Sequence, residues 1–172
     1  MVEPHSRKAI EDYATKIKGL LGMKDTLYVP VIEVAELIIP QIDISFNCYP
    51  VYNEEMPDKY AEYRPKTNEL VIRQDVYDAV CNGNDRHRFT IAHELGHYFL
   101  HDDVSLSRCP DDVKIPRYRD PEWQANVFAS AFLINRDLMQ GMSAPTVSKY
   151  FGVSRQAAEI AVETAKRAKL KA

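Results

Sequence analysis

The sequence is poor in cysteine, with only three such residues at widely and irregularly spaced positions, Cys48, Cys81 and Cys109. An odd number without regular spacing does not build a disulfide framework, and free thiols are typical of a reducing compartment. The sequence also lacks a long apolar run that could span a membrane, and its N-terminal residues lack the apolar core of a signal peptide. We therefore predict a cytoplasmic protein without membrane attachment.

An excess of charge of one sign is also missing. The chain has 22 Lys and Arg against 25 Asp and Glu, a net charge of −3 at pH 7. This balance argues against a binding surface dominated by nucleic-acid phosphates, although it is compatible with a local basic patch. The 172 residues fit one domain, and no repeat divides them. We expect a single domain over 1–172, with a helical segment (1–40), a sheet and motif helices (41–143) and a C-terminal helix pair (144–172).

The N-terminal half combines helical and strand patterns. Apolar spacing predicts a helix from Ser6 to about Leu21, and Pro30 at a first helical position predicts a second, short one. The alternating stretch "IDISFNCYPVY" predicts a strand. "KYAEYRP" and "NELVIRQ" flank "PKTN", which predicts a hairpin whose turn uses Pro65 and Asn68. A small sheet among helices indicates an α+β fold.

The C-terminal half is predicted to be helical. "NGND" precedes the helix "RFTIAHELGHYFLH" and offers Asp85 as its N-cap. A charged, proline-containing loop then leads to "DPEWQANVFASAFL", which begins with Asp120 as cap and Pro121 at the first helical position. The remaining "SAPTVSKYFGVSRQAAEIAVETAKRAK" predicts two helices broken at Gly152.

The stretch "RFTIAHELGHYFLH" places two histidines four residues apart. On a helix these positions lie on one face, one turn apart, so the imidazoles of His93 and His97 can share one zinc ion. Glu94 is rotated away from both and can act on a water molecule as a general base without being a ligand. Gly96 lowers the helix propensity, which indicates that another element approaches closely at this point.

A hydrolytic zinc site needs a third protein ligand and an open position. His101 continues the spacing, but a straight helix carries it about 12 Å along the axis from His93. Asp103 occupies the third-ligand position of the extended motif "HExxHxxGxxH", but Leu100 replaces the glycine that this motif needs. Glu122 begins a separate helix that can fold back over the first. Chemistry alone also allows Glu122 to be a first-turn acid that interacts with the helix dipole.

The two motifs together resemble the ImmA/IrrE family of metallopeptidases, whose members pair "HExxH" with a downstream "ExxANxFAxxLL" helix. The resemblance extends over about 59–155 and includes the hairpin and "VSKYFGVSRQAA". It implies a mostly helical, zincin-like core with a small sheet. The chain departs from the family pattern at Ile134 and Asn135, where a segment like "LLMP" is usual, so the following turn can differ.

The resemblance also implies roles for individual residues. His93, His97 and Glu122 would be the zinc ligands, Glu94 the catalytic base, and Asn126 a structural or supporting residue. The expected activity is endopeptidase cleavage of a helix-turn-helix repressor of the XRE type, in a mobile element, a prophage, or a stress or toxin–antitoxin system. Zinc is the expected cofactor, although such ligands also accept Mn²⁺ and other divalent metals.

Further roles and one alternative function are open at this stage. Donors for a developing oxyanion could come from His101, Arg117, Tyr118 or Arg119, and groups that fix the histidine tautomers from Asp102, Asp103 or Asn126. The alternative function is DNA binding, or non-catalytic pairing with a repressor, through the helix-turn-helix-like segment 144–168. From 144 to 172 the sequence has six Lys or Arg against two Glu. A packed helix pair that completes the core is the simpler interpretation of this segment.

Overall fold

The computed structural model describes residues 2–101 and 116–169, and these form a mostly helical α+β fold. A π-helical turn covers Val34–Ile38, and 3₁₀ turns cover Asn53–Glu55 and Arg117–Arg119. The helices are α1 (Arg7–Leu20), α2 (Val31–Glu33), α3 (Ile39–Ile42), α4 (Gln74–Cys81), α5 (Arg88–His101), α6 (Pro121–Leu133), α7 (Ala144–Phe151) and α8 (Arg155–Lys169). The strands are β1 (Asn47–Val51), β2 (Ala61–Arg64) and β3 (Glu69–Arg73).

The three strands form a mixed sheet with β3 in the centre. β1 pairs with β3 in parallel and β2 pairs with β3 in antiparallel. The predicted hairpin is therefore confirmed, and Asn68 occupies its turn with a φ of +53°, a conformation that asparagine tolerates better than most residues. The Asn68 amide also donates to the Asp43 carboxylate at 2.9 Å, which ties the hairpin to the segment before β1.

Several sequence predictions for the N-terminal half were wrong in detail. The strand predicted from "IDIS" onward begins only at Asn47, because the Asp43 carboxylate accepts from the backbone N–H and hydroxyl of Ser45 and so forms a turn. Pro30 lies one residue before its helix rather than inside it. The helix continues past Pro40, where the π-helical turn accommodates the missing N–H. Helix α4 was not predicted.

Helices α5 and α6 cross at very short distance. A Cβ atom added to Gly96 would lie 3.1 Å from both Cα and the carbonyl oxygen of Ala125, so only glycine fits here without displacement. The close approach expected at Gly96 is therefore found. The rings of Phe99 and Phe128 continue the contact with centroids 5.5 Å apart. This crossing fixes the relative position of the two predicted motifs.

The first residue of α5 connects three parts of the chain. Arg88 is fully buried, and its guanidinium donates to the carbonyl oxygens of Phe151, Gly152 and Val29. Asp85, predicted as the helix cap, lies three residues before the helix and forms a 3.8 Å ion pair with Arg88 instead. The predicted break between α7 and α8 is confirmed, with Gly152 in the left-handed conformation at φ +58°.

Candidate metal centre

Helix α5 presents His93 and His97 side by side, as their spacing of four residues requires. Their ring centroids are 4.8 Å apart and their Nε2 atoms 3.1 Å apart. His97 is buried and His93 partly buried, because α6 covers this part of the helix. The two nitrogens therefore point to one common position at the edge of the α5–α6 crossing.

Helix α6 brings Glu122 to the same position. The Asp120 carboxylate accepts from the Glu122 N–H at 3.0 Å, and Pro121 occupies the first helical position, so the predicted start of α6 is confirmed. One carboxylate oxygen of Glu122 lies 3.2 Å from His93 Nε2, and the other lies 3.4 Å from His97 Nε2. Of the candidate third ligands in the described residues, Glu122 is the one that meets both imidazoles.

The three side chains fit a catalytic metal ion. Their ligand atoms lie within 4.8 Å of one another. Two imidazoles and one carboxylate are a donor set that binds zinc in hydrolytic sites and leaves one coordination position open. Glu122 is largely exposed, with a side-chain accessibility of 66%, so the site opens to solvent on the α6 side.

The ionisable side chains of the cluster shift one another's pKa. Hydrogen bonds to His93 and then to His97 hold the pKa of Glu122 well below its usual range. Burial alone would lower the pKa of His93, but the hydrogen bond to Glu122 and the charges of Glu94 and Glu122 together raise it. Glu122 is thus ionised at neutral pH, the form in which a carboxylate binds a metal.

Glu94 lies beside the cluster and faces the sheet. Its Oε2 accepts from the Tyr63 backbone N–H of β2 at 2.8 Å. Burial raises the pKa of Glu94 above its usual value, and the Tyr63 N–H only partly offsets that effect. A carboxylate with a raised pKa, held in one orientation next to two imidazoles, is suited to accept a proton at neutral pH.

Asn126 contacts the outer nitrogen of His93. The distance from Asn126 Oδ1 to His93 Nδ1 is 3.2 Å, and an amide oxygen only accepts hydrogen bonds. A neutral His93 therefore carries its proton on Nδ1 and directs the lone pair of Nε2 to the common position, whereas in the protonated ring Nε2–H donates to Glu122. Of the candidates for fixing tautomers, Asn126 is in contact with a ring, whereas Asp102 and Asp103 lie outside the described residues.

His101 is not placed as a ligand or as an oxyanion donor. Its side chain is 1% exposed, and its two nitrogens contact His97 and Gln124. Burial lowers the pKa of His101 to about 4, so the ring is neutral at pH 7. Gln124 was not singled out from the sequence. Its one signal there is a polar residue inside the otherwise apolar "WQANVFASAFL".

The other candidate oxyanion donors lie on the 3₁₀ turn before α6. Arg117 and Tyr118 are exposed and Arg119 is partly buried. The carbonyl oxygen of Tyr118 accepts from Gln124 at 2.8 Å, which fixes the backbone of this turn against α6. A role for these three side chains in catalysis stays a prediction.

The helix-turn-helix-like segment packs on the rest of the fold through its turn. The carbonyl oxygens of Phe151 and Gly152 are held by the buried Arg88. On α8, Arg155 pairs with Glu159 at 3.1 Å and Arg167 pairs with Glu163 at 3.1 Å, each within the same helix. These ion pairs neutralise part of the basic charge on which the DNA-binding alternative depends.

Comparisons with known proteins agree with this geometry. The family model described as IrrE N-terminal-like domain, Peptidase_M78, matches residues 51–163. Over 87 residues the chain is 34% identical to Metallopeptidase ImmA of Bacillus subtilis (strain 168), which covers 46% of this chain and 51% of that protein. The chain thus spans about half the length of this curated relative.

A solved structure has a related fold. The Mycobacterium tuberculosis transcriptional regulator matches with a TM-score of 0.58 and 19% identity, covering 87% of this chain and 44% of that one. At this identity the likeness concerns the fold alone.

In the described residues, no helix combines the length and the apolar character needed to cross a membrane.

Proposed function

This chain belongs to the IrrE N-terminal-like domain family, Peptidase_M78, and we propose that it is a zinc-dependent endopeptidase. In this proposal His93, His97 and Glu122 hold the metal and Glu94 is the catalytic base. The observation that carries the proposal is the convergence of two imidazole nitrogens and one carboxylate, from two separate helices, within 4.8 Å.

The chemistry of the reaction divides between the metal and the chain. When bound, zinc would polarise the scissile carbonyl and acidify the attacking water. Mn²⁺ or another divalent ion could occupy the same donors, since imidazole and carboxylate accept several metals. The chain's own contribution is to keep the three donors together through the α5–α6 crossing and to keep the fourth direction open to solvent.

Glu94 moves the proton in this mechanism. Its carboxylate, oriented by the Tyr63 N–H at 2.8 Å, takes a proton from the attacking water and later delivers it to the leaving amine. The raised pKa of Glu94 favours the first transfer, because a stronger base takes the proton more readily than an ordinary surface glutamate does. Because Glu94 belongs to the same helix as His93 and His97, its distance from the metal position is fixed by helix geometry.

We further propose that the substrate is a helix-turn-helix repressor, in line with the family resemblance of both motifs. The cluster is close to the protein surface, where an intact protein chain can approach it. A peptidase in the cytoplasm has to be selective among proteins, and a single repressor of a mobile element, prophage or stress system satisfies this need. A helix-turn-helix repressor encoded in an adjacent gene would be the first candidate to test.

The activity is tested with purified, zinc-loaded protein and that repressor. Glu94→Gln removes the proton acceptor but preserves shape, and we expect cleavage to slow by about 10²–10⁴-fold while zinc stays bound. Glu159→Gln is the matched control, since this exposed residue of α8 is not part of the cluster. Cleavage is measured by mass spectrometry of the fragments, and zinc by elemental analysis of each variant.

Two results would contradict different parts of the proposal. Undiminished cleavage by metal-loaded Glu94→Gln would remove Glu94 as the base. Failure of the wild type to cleave the repressor, together with cleavage of an unrelated protein, would leave the peptidase and remove the substrate. DNA binding through 144–168 is tested by gel shift with the repressor's operator, where we expect no sequence-selective complex.

A further inference from the structure

Behind the metal centre, a hydrogen-bonded chain of buried side chains leads away from His97. We propose that Gln124 and His101 are positioning residues that force His97 into the one tautomer able to bind metal. The inference rests on the proposed metal centre. It concerns two residues that neither coordinate metal nor reach substrate, and it follows from which atoms can donate and which can only accept.

The chain begins at Gln124, whose amide has only one workable orientation. Its Nε2 lies 2.7 Å from the carbonyl oxygen of Glu3 and 2.8 Å from that of Tyr118. Both partners are acceptors, so the NH₂ group has to face them and both its protons are used. The oxygen Oε1 is therefore turned to the opposite side, towards His101. Because Gln124 is completely buried, water cannot replace these partners.

The second step fixes the proton of His101. Its Nε2 lies 2.9 Å from Gln124 Oε1, which can only accept, so the proton of His101 is on Nε2. A neutral imidazole has one proton, and Nδ1 of His101 is consequently an acceptor. This nitrogen lies 3.1 Å from Nδ1 of His97. Two acceptors would repel at this distance, so Nδ1 of His97 has to carry a proton.

The result at His97 is a lone pair on Nε2. This is the nitrogen that lies 3.1 Å from His93 Nε2 and 3.4 Å from Glu122. Asn126 fixes His93 in the same way through a single amide. The two proposed ligands thus differ in support. His93 contacts one exposed residue, Asn126, whereas His97 contacts a buried relay that ends on two backbone carbonyls. One of these carbonyls belongs to Glu3, which lies outside the family-matched residues 51–163.

The test has two measurements, the tautomers of His97 and His101 and the affinity of the protein for zinc. In the metal-free wild type at mildly alkaline pH, imidazole ¹⁵N chemical shifts should show His97 protonated on Nδ1 and His101 protonated on Nε2. His101→Phe removes the acceptor, so His97 should become mostly Nε2-protonated. Its zinc affinity, measured by chelator competition, should fall about 10–100-fold, as for other supporting partners of metal ligands.

A conservative variant separates positioning from mere packing. In His101→Gln the amide oxygen can accept from His97 and the NH₂ group can donate to Gln124, so zinc affinity should recover to within about threefold of wild type. Gln124→Met, which cannot accept from His101, should behave like His101→Phe. His87→Phe is the matched control, because His87 precedes α5 and stacks on Tyr60 away from the centre. Its zinc affinity should be unchanged.

Several outcomes would overturn the inference. An Nε2-protonated His97 in the wild type would do so, as would wild-type zinc affinity in a folded His101→Phe. Equal losses in His101→Phe and His101→Gln would reduce the role to packing. If the wild type bound no zinc at all, the proposed function would fail. If it bound zinc and cleaved its substrate with the opposite tautomer, only this inference would fail. The wild-type spectrum keeps the test valid even if a variant does not fold.

Discussion

The first residue and the middle of helix α5 bury polar groups in opposite ways. At its first residue, Arg88 places a cation among carbonyl oxygens of Val29, Phe151 and Gly152 and over the ring of Tyr28, 3.6 Å from the guanidinium carbon. About one and a half to two and a half turns later, His93 and His97 place acceptor nitrogens against each other and against the Glu122 carboxylate. The first residue of the helix is itself a cation, whereas His93 and His97 face the position that the proposed function assigns to a metal ion.

This difference separates a structural site from a functional one. The Arg88 guanidinium donates to three carbonyl oxygens, so much of the cost of burying it is offset within the protein, and among the buried side-chain nitrogens and oxygens of the described residues only its Nε lacks a hydrogen-bond partner. The Nε2 atoms of His93 and His97 and the oxygens of Glu122 offer lone pairs only, which is unfavourable unless a proton or a metal ion lies between them. The same helix therefore carries a buried cation held by the protein's own carbonyl oxygens beside a group of acceptors that the proposed function assigns to a metal ion.

The comparison is tested most strongly by removing one of the three acceptors. Glu122→Ala should weaken zinc binding by more than about 100-fold, because a direct ligand matters more than a supporting residue, whose loss costs about 10–100-fold. Isothermal titration of the metal-free protein measures this. Glu54→Ala removes an exposed glutamate from the 3₁₀ turn Asn53–Glu55 and should bind zinc as the wild type does. Tight binding by Glu122→Ala would place the third ligand elsewhere.

Replacement of Arg88, the first residue of α5, should lower the free energy of unfolding and leave the metal affinity unchanged. Arg88→Met preserves the length of the side chain but strips three buried carbonyls of their donor, at roughly 1 kcal/mol each. We expect the free energy of unfolding of the metal-free protein to fall by about 2–3 kcal/mol in urea denaturation. Zinc affinity of the folded variant should stay within about threefold, since Arg88 touches none of the ligands.

Arg86→Met provides the matched control for this prediction. Arg86 is exposed two residues before Arg88, and its replacement should change stability by less than about 0.5 kcal/mol. A loss of zinc binding in Arg88→Met as large as that in Glu122→Ala would show that the Arg88 site and the metal centre are not independent.

Much of this contrast could be predicted from sequence, because it depends on local spacing. Short-range rules predict the i, i+4 pair His93 and His97, the cap Asp120, the break at Gly152 and the turn at Asn68. The structure has each of them where expected. Glu122 was harder, since its meeting with the histidines depends on how two helices cross. The downstream motif of the family directed attention to it.

The parts that sequence could not predict depend on long-range contacts. The partners of Gln124 are a backbone carbonyl 121 residues away and another only six away, and neither leaves a trace in residue type. Arg88 likewise bonds to carbonyls 59 and 63 residues distant. Every amino acid carries the same backbone carbonyl. The residue types in the sequence therefore do not indicate which carbonyl a buried side chain will bind.

The crossing of α5 and α6 offers a smaller, graded test. Gly96→Ala would place a methyl group 3.1 Å from the backbone of Ala125, so α6 has to shift by a few tenths of an ångström. Because Glu122 moves with α6, zinc affinity should fall about threefold to tenfold, by analogy with displaced supporting groups. Gly19→Ala, at a position of α1 with open space around it, should instead raise stability by about 0.5–1 kcal/mol and leave zinc binding unchanged. Unaltered affinity in Gly96→Ala would show that the crossing does not set the ligand geometry.

A second buried cation, Lys18, has the smallest expected effect and refines the comparison. Lys18 is 1% exposed, and its Nζ donates to the Thr26 carbonyl oxygen at 3.3 Å, whereas Arg88 meets three carbonyls and a ring. Burial lowers the pKa of Lys18 to about 8, below the value of about 10.4 in an unfolded chain. The unfolded state therefore binds more protons between these values, and stability rises with pH there, by about 1 kcal/mol from pH 7 to 9. Lys18→Met should abolish this rise and be more stable than the wild type at pH 7, as measured by urea denaturation across that pH range. A wild type whose stability is flat from pH 7 to 9 would mean that one carbonyl is enough to keep a buried ammonium charged.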